Sequence, residues 1–240
     1  MAFDPSKYTV AKAKPLPVIL LLDRSGSMDG VKISTLNSAV NEMIQSFKTA
    51  GQGEVEINLG VISFGEGGAT YDLPLQAVSG ITDIHLKSSG GTPMGVALRM
   101  AKDMIEDKNV IPSKGYRPAV ILVSDGAPTD SWEEPMNDFI SNGRSSKCDR
   151  YAMEIQAGKQ GEEVLNKFLE GTENQLFHAN NAGIISEFFR FVTMSVSVRS
   201  KSVDPNKLIS AKEINVLTDS QDSKNIVEQV QSSIDDMMDF

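Results

Sequence analysis

The chain has one cysteine, two histidines and one tryptophan among 240 residues. With Cys148 alone, no intramolecular disulfide and no multi-cysteine zinc or iron–sulfur site can form, which agrees with a reducing compartment. His85 and His178 are far apart in sequence and read as surface or hydrogen-bonded groups rather than ligands. Long apolar runs are missing too. Val18 to Leu22 is far short of the roughly 20 residues that a membrane span requires. Residues 1–17 carry Lys7, Lys12 and Lys14 but neither an apolar signal region nor a small-residue cleavage site, so the expectation is a short arm on a cytoplasmic protein. Positive charge is in deficit, with 23 Lys and Arg against 32 Asp and Glu and a formal net charge of -9. That balance opposes the phosphate backbone, and no cluster of Lys and Arg interleaved with aromatics overrides it, so nucleic acid is excluded as a partner.

What is present is an ordinary globular composition, 40% hydrophobic and 23% charged. At this length one large α/β core is the expected organisation. VILLL, Val18 to Leu22, is a continuous apolar run of the kind buried on both faces of a parallel sheet, and Ala119 to Val123 repeats it. Between them, Ile33, Leu36, Val40, Met43, Ile44 and Phe47 recur at helical spacing, and Val55, Ile57, Leu59 and Val61 alternate as a strand. Ala69 to Val78 reads as a third strand, which Pro74 places at an edge. Pro93 through Ile105 is an amphipathic helix with proline in its first turn.

Further on, the pattern predicts a helix around Trp132 to Ile140, a strand over Tyr151 to Ala157, a helix over Val164 to Leu169, a strand over Gln175 to Ala179 and a closing helix through Ile184 to Val192. Alternating strands and helices predict a doubly wound, mostly parallel central sheet flanked by helices, with one antiparallel edge strand. Met28, Met94, Met100, Met104, Met136 and Met194 read as core fillers. Beyond Ser200 the composition turns polar until Ile226, Val227, Val230, Ile234, Met237 and Met238 form another helical stripe.

The chemistry sits at the ends of the buried strands. Asp23-Arg24-Ser25-Gly26-Ser27-Met28 follows the first, carrying a carboxylate and two hydroxyls at alternate positions, with Gly26 expected to let the loop turn tightly. Gly90-Gly91-Thr92-Pro93 precedes the second helix, and Ser124-Asp125-Gly126 follows the second wholly apolar strand. Open α/β sheets bind ligands at the carboxyl ends of their strands. Asp23, Ser25, Ser27, Thr92 and Asp125 offer three neutral hydroxyls and two carboxylates, a hard oxygen set suited to Mg²⁺ or Mn²⁺, or to Ca²⁺, rather than to zinc. Asp29 and Asp130 are read as surface turns.

DRSGSM, GGTPMG and SDG, in this order, resemble the metal-ion-dependent adhesion site of von Willebrand factor A domains. With PTD after SDG, the pattern is similar to the tellurite-resistance TerY-like branch of bacterial A domains. The resemblance implies an arm over 1–15, an A domain with a Rossmann-like fold over 16–200, and an extension over 201–240 with an amphipathic helix. It further implies that Ser25, Ser27 and Thr92 bind the cation directly and that Asp23 and Asp125 act mainly through waters. The implied role is protein binding, in which a partner supplies an Asp or Glu to the cation. A kinase or phosphatase of a tellurite-resistance, stress or defence system is the implied candidate.

Two other functions fit single motifs. An aspartyl phosphatase would use Asp23 as nucleophile, but that chemistry calls for a second Asp two residues on, where Ser25 stands. In a structural role, the cation would only tie three loops together.

Overall fold

The structure, a computed structural model, describes residues 14–50 and 55–201. The expected helix through Ile226 to Met238 and nearly all of the 1–15 arm and the 201–240 extension lie outside the described residues. Six strands, β1 (Lys14–Asp23), β2 (Val55–Gly65), β3 (Gly68–Ala77), β4 (Ala119–Ser124), β5 (Asp149–Glu154) and β6 (Phe177–His178), form one sheet in the order β3-β2-β1-β4-β5-β6. Only β3 is antiparallel, paired with β2 at the edge. The register between them slips near Pro74, which has no N–H to give a ladder. Among the described residues, the helices are α1 (Val31–Ala50), α2 (Met94–Glu106), α3 (Glu133–Ser141), α4 (Gly158–Leu169) and α5 (Ala182–Lys201).

The unbroken apolar run of β1 follows from burial on both faces. Leu16, Val18, Leu20 and Leu22 join a core with Leu36, Val40, Ile44 and Phe47 of α1 and Phe188, Phe189 and Val192 of α5. Ile19 and Leu21 face the other way, onto Met94, Leu98 and Ile105 of α2, Phe139 of α3 and Leu165 and Phe168 of α4. Neither face can take a polar side chain, so the period-two alternation of a half-exposed strand is lost. Met28, Met94, Met104 and Met136 are core residues as expected, while Met100 and Met194 are half-buried.

The fifth strand departs from its expected bounds. It runs from Asp149 to Glu154 rather than from Tyr151 to Ala157, and every residue in it is buried. Polar side chains are admitted there because partners wait for them. Asp149 accepts hydrogen bonds from Tyr151 Oη at 2.5 Å and Asn174 Nδ2 at 3.1 Å and faces Arg199 Nη1 at 3.6 Å, while Arg150 donates to the carbonyls of Phe168, Glu170 and Ser146. A buried charge is tolerated only when so paired.

Cys148 precedes this strand and is 3% exposed, and burial pushes its thiol up to about 12. Since only the thiolate is nucleophilic, a thiol reagent at pH 8 is expected to label the native chain at least roughly a thousandfold more slowly than the chain in denaturant. Comparable rates in the two states would contradict the packing around Cys148.

Candidate metal centre

β1 and β4 are adjacent, yet the chain leaves them in opposite directions: β1 feeds α1 and the β2-β3 side, and β4 feeds α3 and the β5-β6 side. Diverging loops at such a switch point open a crevice at the carboxyl edge of the sheet. The loop after Asp23 and the loop after Ser124 both lie there.

The first loop closes through a short 3-10 turn, Gly26–Met28. Ser25 Oγ and Ser27 Oγ come within 3.0 Å, so the two hydroxyls do converge. Gly26 is not one of the left-handed glycines, so the turn rather than special backbone freedom brings them together, contrary to expectation. Asp125 joins the pair: its Oδ1 accepts from Ser27 Oγ at 2.7 Å and lies 3.5 Å from Ser25 Oγ. Asp23 is wholly buried behind them. Its Oδ1 accepts the Ser25 N–H at 2.8 Å, and its Oδ2 accepts the Ser124 hydroxyl at 2.5 Å. Burial raises the Asp23 carboxyl above its ordinary range, the hydrogen bonds from Ser124 and Ser25 pull it back, and the charge of Asp125 adds a smaller push upward.

Thr92 is 5% exposed and arrives on the third loop. That loop is fastened to the first by Gly26 N–H to the Gly90 carbonyl at 2.9 Å and by Ser89 N–H to the Arg24 carbonyl at 2.7 Å. Arg24, between the site residues, turns the other way and donates to Ser63 Oγ at 3.0 Å and to the Glu66 carbonyl at 3.0 Å. Thr92 N–H donates to Thr129 Oγ1 at 2.9 Å, and the Thr92 carbonyl accepts the Thr129 N–H at 2.9 Å, which ties this loop to the one after Asp125. The structure thus joins Asp23, Ser25, Ser27 and Asp125 by direct hydrogen bonds, and Thr92 to their loops through the backbone.

Several contributors were not legible in the sequence. Lys32, in the first turn of α1, places Nζ 2.7 Å from Asp125 Oδ2. Its ammonium puts a positive charge where the hydroxyls and carboxylates gather, an observation that fits a cation there. Ser124, which is not among the expected ligands, donates its hydroxyl to Asp23 and holds that carboxylate in place. Asp130, read as a surface turn, instead accepts the N–H groups of Gly95 and Val96 at 3.0 Å each, satisfying free donors in the first turn of α2 just beyond Thr92. Asp29 accepts the Ser88 hydroxyl at 2.7 Å.

The comparisons with known proteins agree with this architecture. Residues 18–127 match the family model of the von Willebrand factor type A domain. Together with the strand order this makes the fold that of a von Willebrand factor A domain, a Rossmann-like sheet with one antiparallel edge. Similar solved structures include the pilus adhesin SpaC from Lactobacillus rhamnosus GG in an open conformation, 17% identical with a TM-score of 0.63 over 78% of this chain and 30% of that one. A von Willebrand factor type A protein from Catenulispora acidiphila is 20% identical, with a TM-score of 0.57 over 76% of this chain and 42% of that one. Proximal thread matrix protein 1 from the mussel byssus, with a zinc-occupied MIDAS motif, is 16% identical, with a TM-score of 0.55 over 76% of this chain and 48% of that one. The chain therefore spans less than half the length of each. No curated protein matched by sequence. Among the described residues, no helix is long and apolar enough to cross a membrane.

Proposed function

We propose that this domain is a cytoplasmic, cation-dependent protein-binding module in which Asp23, Ser25, Ser27, Thr92 and Asp125 hold Mg²⁺ or Mn²⁺, or Ca²⁺. The observation that carries the reading is the hydrogen-bonded cluster of Ser25, Ser27 and Asp125, backed by the buried Asp23 at the switch point of the sheet. The hydroxyls of Ser25, Ser27 and Thr92 supply neutral oxygens, and Asp23 and Asp125 supply charge from behind. A bound cation contributes Lewis acidity toward one further oxygen ligand from outside. Because the hydroxyls of Ser25, Ser27 and Thr92 are neutral, a cation held there would keep much of its charge and would favour a carboxylate, an Asp or Glu of a partner. The zinc reported in the byssus protein's motif argues against excluding zinc from a site of this kind. The order of the DRSGSM, GGTPMG and SDG motifs supports a setting like that of TerY-like proteins, a tellurite-resistance, stress or defence system with a kinase or phosphatase as partner.

The geometry weighs against the phosphatase alternative. A nucleophilic carboxylate needs a free oxygen facing substrate, whereas Asp23 is 0% exposed and both its oxygens accept hydrogen bonds from within the chain. Small phosphoesters are therefore expected to go unhydrolysed with Mg²⁺ present. Turnover that disappears in Asp23→Asn while the variant keeps its cation would overturn this.

Lys32 gives the module an internal competitor for the cation, since its ammonium must leave Asp125 or share it. Lys32→Met is expected to tighten Mg²⁺ or Mn²⁺ binding by roughly tenfold, about 1.4 kcal/mol, while lowering the melting temperature without metal because Asp125 loses its counter-charge. Calorimetric titration of both proteins checks this; weaker binding in the variant would mean that Lys32 helps to build the site. The module itself is tested by capturing partners from native lysate with and without chelator. Capture indifferent to chelator and to Thr92→Ala would contradict the proposal.

A further inference from the structure

We propose that Glu154, Glu162 and His178 form a second divalent-cation site, one that takes a transition cation such as Zn²⁺ and lies on the same edge of the sheet as the first centre. This goes beyond the function proposed above and does not depend on it. The carboxyl ends of the strands form a row. Ser124 of β4 is in register with Glu154 of β5, and Glu154 with His178 of β6, so parallel pairing turns their side chains to one face. Glu162 reaches in from α4. One carboxylate oxygen of each Glu and one ring nitrogen of His178 all lie within 4.8 Å of one another.

The spacing suits a shared cation. Ligands about 2.0–2.2 Å from zinc are separated from each other by roughly 3–4 Å. His178 Nδ1 and Glu154 Oε1 already stand 3.1 Å apart, and a small turn of the half-buried Glu162 brings in the third ligand. Glu154 is held in place from behind, because its Oε2 accepts the Ala157 N–H at 2.7 Å, which leaves Oε1 to face the cluster. An outer hydrogen bond of this kind orients metal-binding carboxylates.

Charge argues in the same direction. The Glu154 side chain is only 5% exposed and shares the cluster with a second carboxylate, yet among the described residues neither glutamate forms an ion pair with a lysine or arginine. A divalent ion would neutralise both. The imidazole nitrogen distinguishes this set from the all-oxygen centre around Ser25 and selects zinc-like ions over Mg²⁺. His178 is half exposed, so the ion can enter from solvent and keep a position open to water or a partner.

The test uses the untagged full chain in excess Mg²⁺, titrated with Zn²⁺ against a chromogenic chelator. One equivalent of Zn²⁺ is expected to bind, with a change in the His178 imidazole resonances. Glu162→Gln and His178→Gln, both at solvent-accessible positions, should each weaken binding by at least about tenfold, a loss no smaller than that of an outer-shell group. Thr92→Ala should leave it unchanged. Absence of stoichiometric Zn²⁺ binding would overturn the proposal and leave the His178–Glu154 contact as an ordinary hydrogen bond. Zn²⁺ binding that survives both substitutions but fails in Thr92→Ala would overturn it equally, placing the zinc at the first centre.

Discussion

Asp23→Ala is expected to abolish the rise in melting temperature that Mg²⁺ or Mn²⁺ gives the unaltered chain. The proposed ligands come from three loops that meet only in the folded state, and a cation that binds the native form alone would stabilise it by about 2.7 kcal/mol at a hundred times its Kd. Asp23 supplies one of two negative charges and, through its hydrogen bond from the Ser25 N–H, sets the loop that carries both serines. Its removal takes away charge and geometry together. The variant is also expected to be less stable without metal, because the Ser25 N–H loses its acceptor and the Ser124 hydroxyl keeps only the longer bond to the Gly126 carbonyl. The decisive quantity is therefore the difference between melting temperatures with and without cation in each protein. Thr92→Ala, which deletes a proposed ligand without disturbing a buried charge, should reduce that difference while leaving the metal-free melting temperature close to that of the parent chain. A full cation-dependent shift in Asp23→Ala would remove Asp23 from the site.

Gly90→Ala is expected to be the most destabilising single-methyl change near the centre. Gly90 has φ +78, and a Cβ there would lie 2.4 Å from both N and Cα of Glu66, a contact that only backbone movement can relieve. The left-handed conformation alone costs a non-glycine residue roughly 1–2 kcal/mol, and the overlap raises the expected loss to about 2–5 kcal/mol. This is a large fraction of the stability of an ordinary domain. The loss should also reach the metal, since the Gly90 carbonyl holds Gly26 N–H and Glu66 N–H is bonded to the Ser89 carbonyl beside it. Denaturant unfolding and cation titration of the variant should show both effects. A stability within about 1 kcal/mol of the parent chain would mean that the 89–92 loop can move away from the β2–β3 turn at little cost.

The sheet was readable from sequence because its central strands are buried on both faces, and VILLL and AVILV admit no other environment. The edge position of the Pro74 strand was readable for an equally local reason. What local pattern could not show was polar burial whose partners lie far along the chain. Asp149 and Arg150 begin a buried strand because Tyr151, Asn174, Arg199 and the carbonyl end of α4 receive them. The irregular stretch before Gly90 is held by Asn37 and Asn41, one turn apart on α1, each exchanging two hydrogen bonds with the backbone of Leu86 and Ile84. Neither asparagine stands out in the sequence, because its partner is backbone more than 40 residues away.

The candidate centre divides in the same way. Its hydroxyls and carboxylates stood out because three short motifs follow or precede elements that were themselves legible. The groups that hold them did not. Lys32 is one of many lysines until α1 brings it to Asp125, and Asp130 is a turn residue until α2 presents its first N–H groups. His178 carries no signal as a lone histidine, since its neighbours Glu154 and Glu162 come from other elements.

The most direct measurement is a crystal structure of the chain grown with Mn²⁺, with diffraction data collected to locate manganese by its anomalous signal. The account predicts a manganese ion bonded to Ser25 Oγ, Ser27 Oγ and Thr92 Oγ1, with Asp23 and Asp125 behind it, Lys32 displaced from Asp125, and a remaining position occupied by water or by a carboxylate from a neighbouring molecule. Manganese bound elsewhere, or none at this crevice under saturating conditions with the Lys32–Asp125 pair intact, would contradict it.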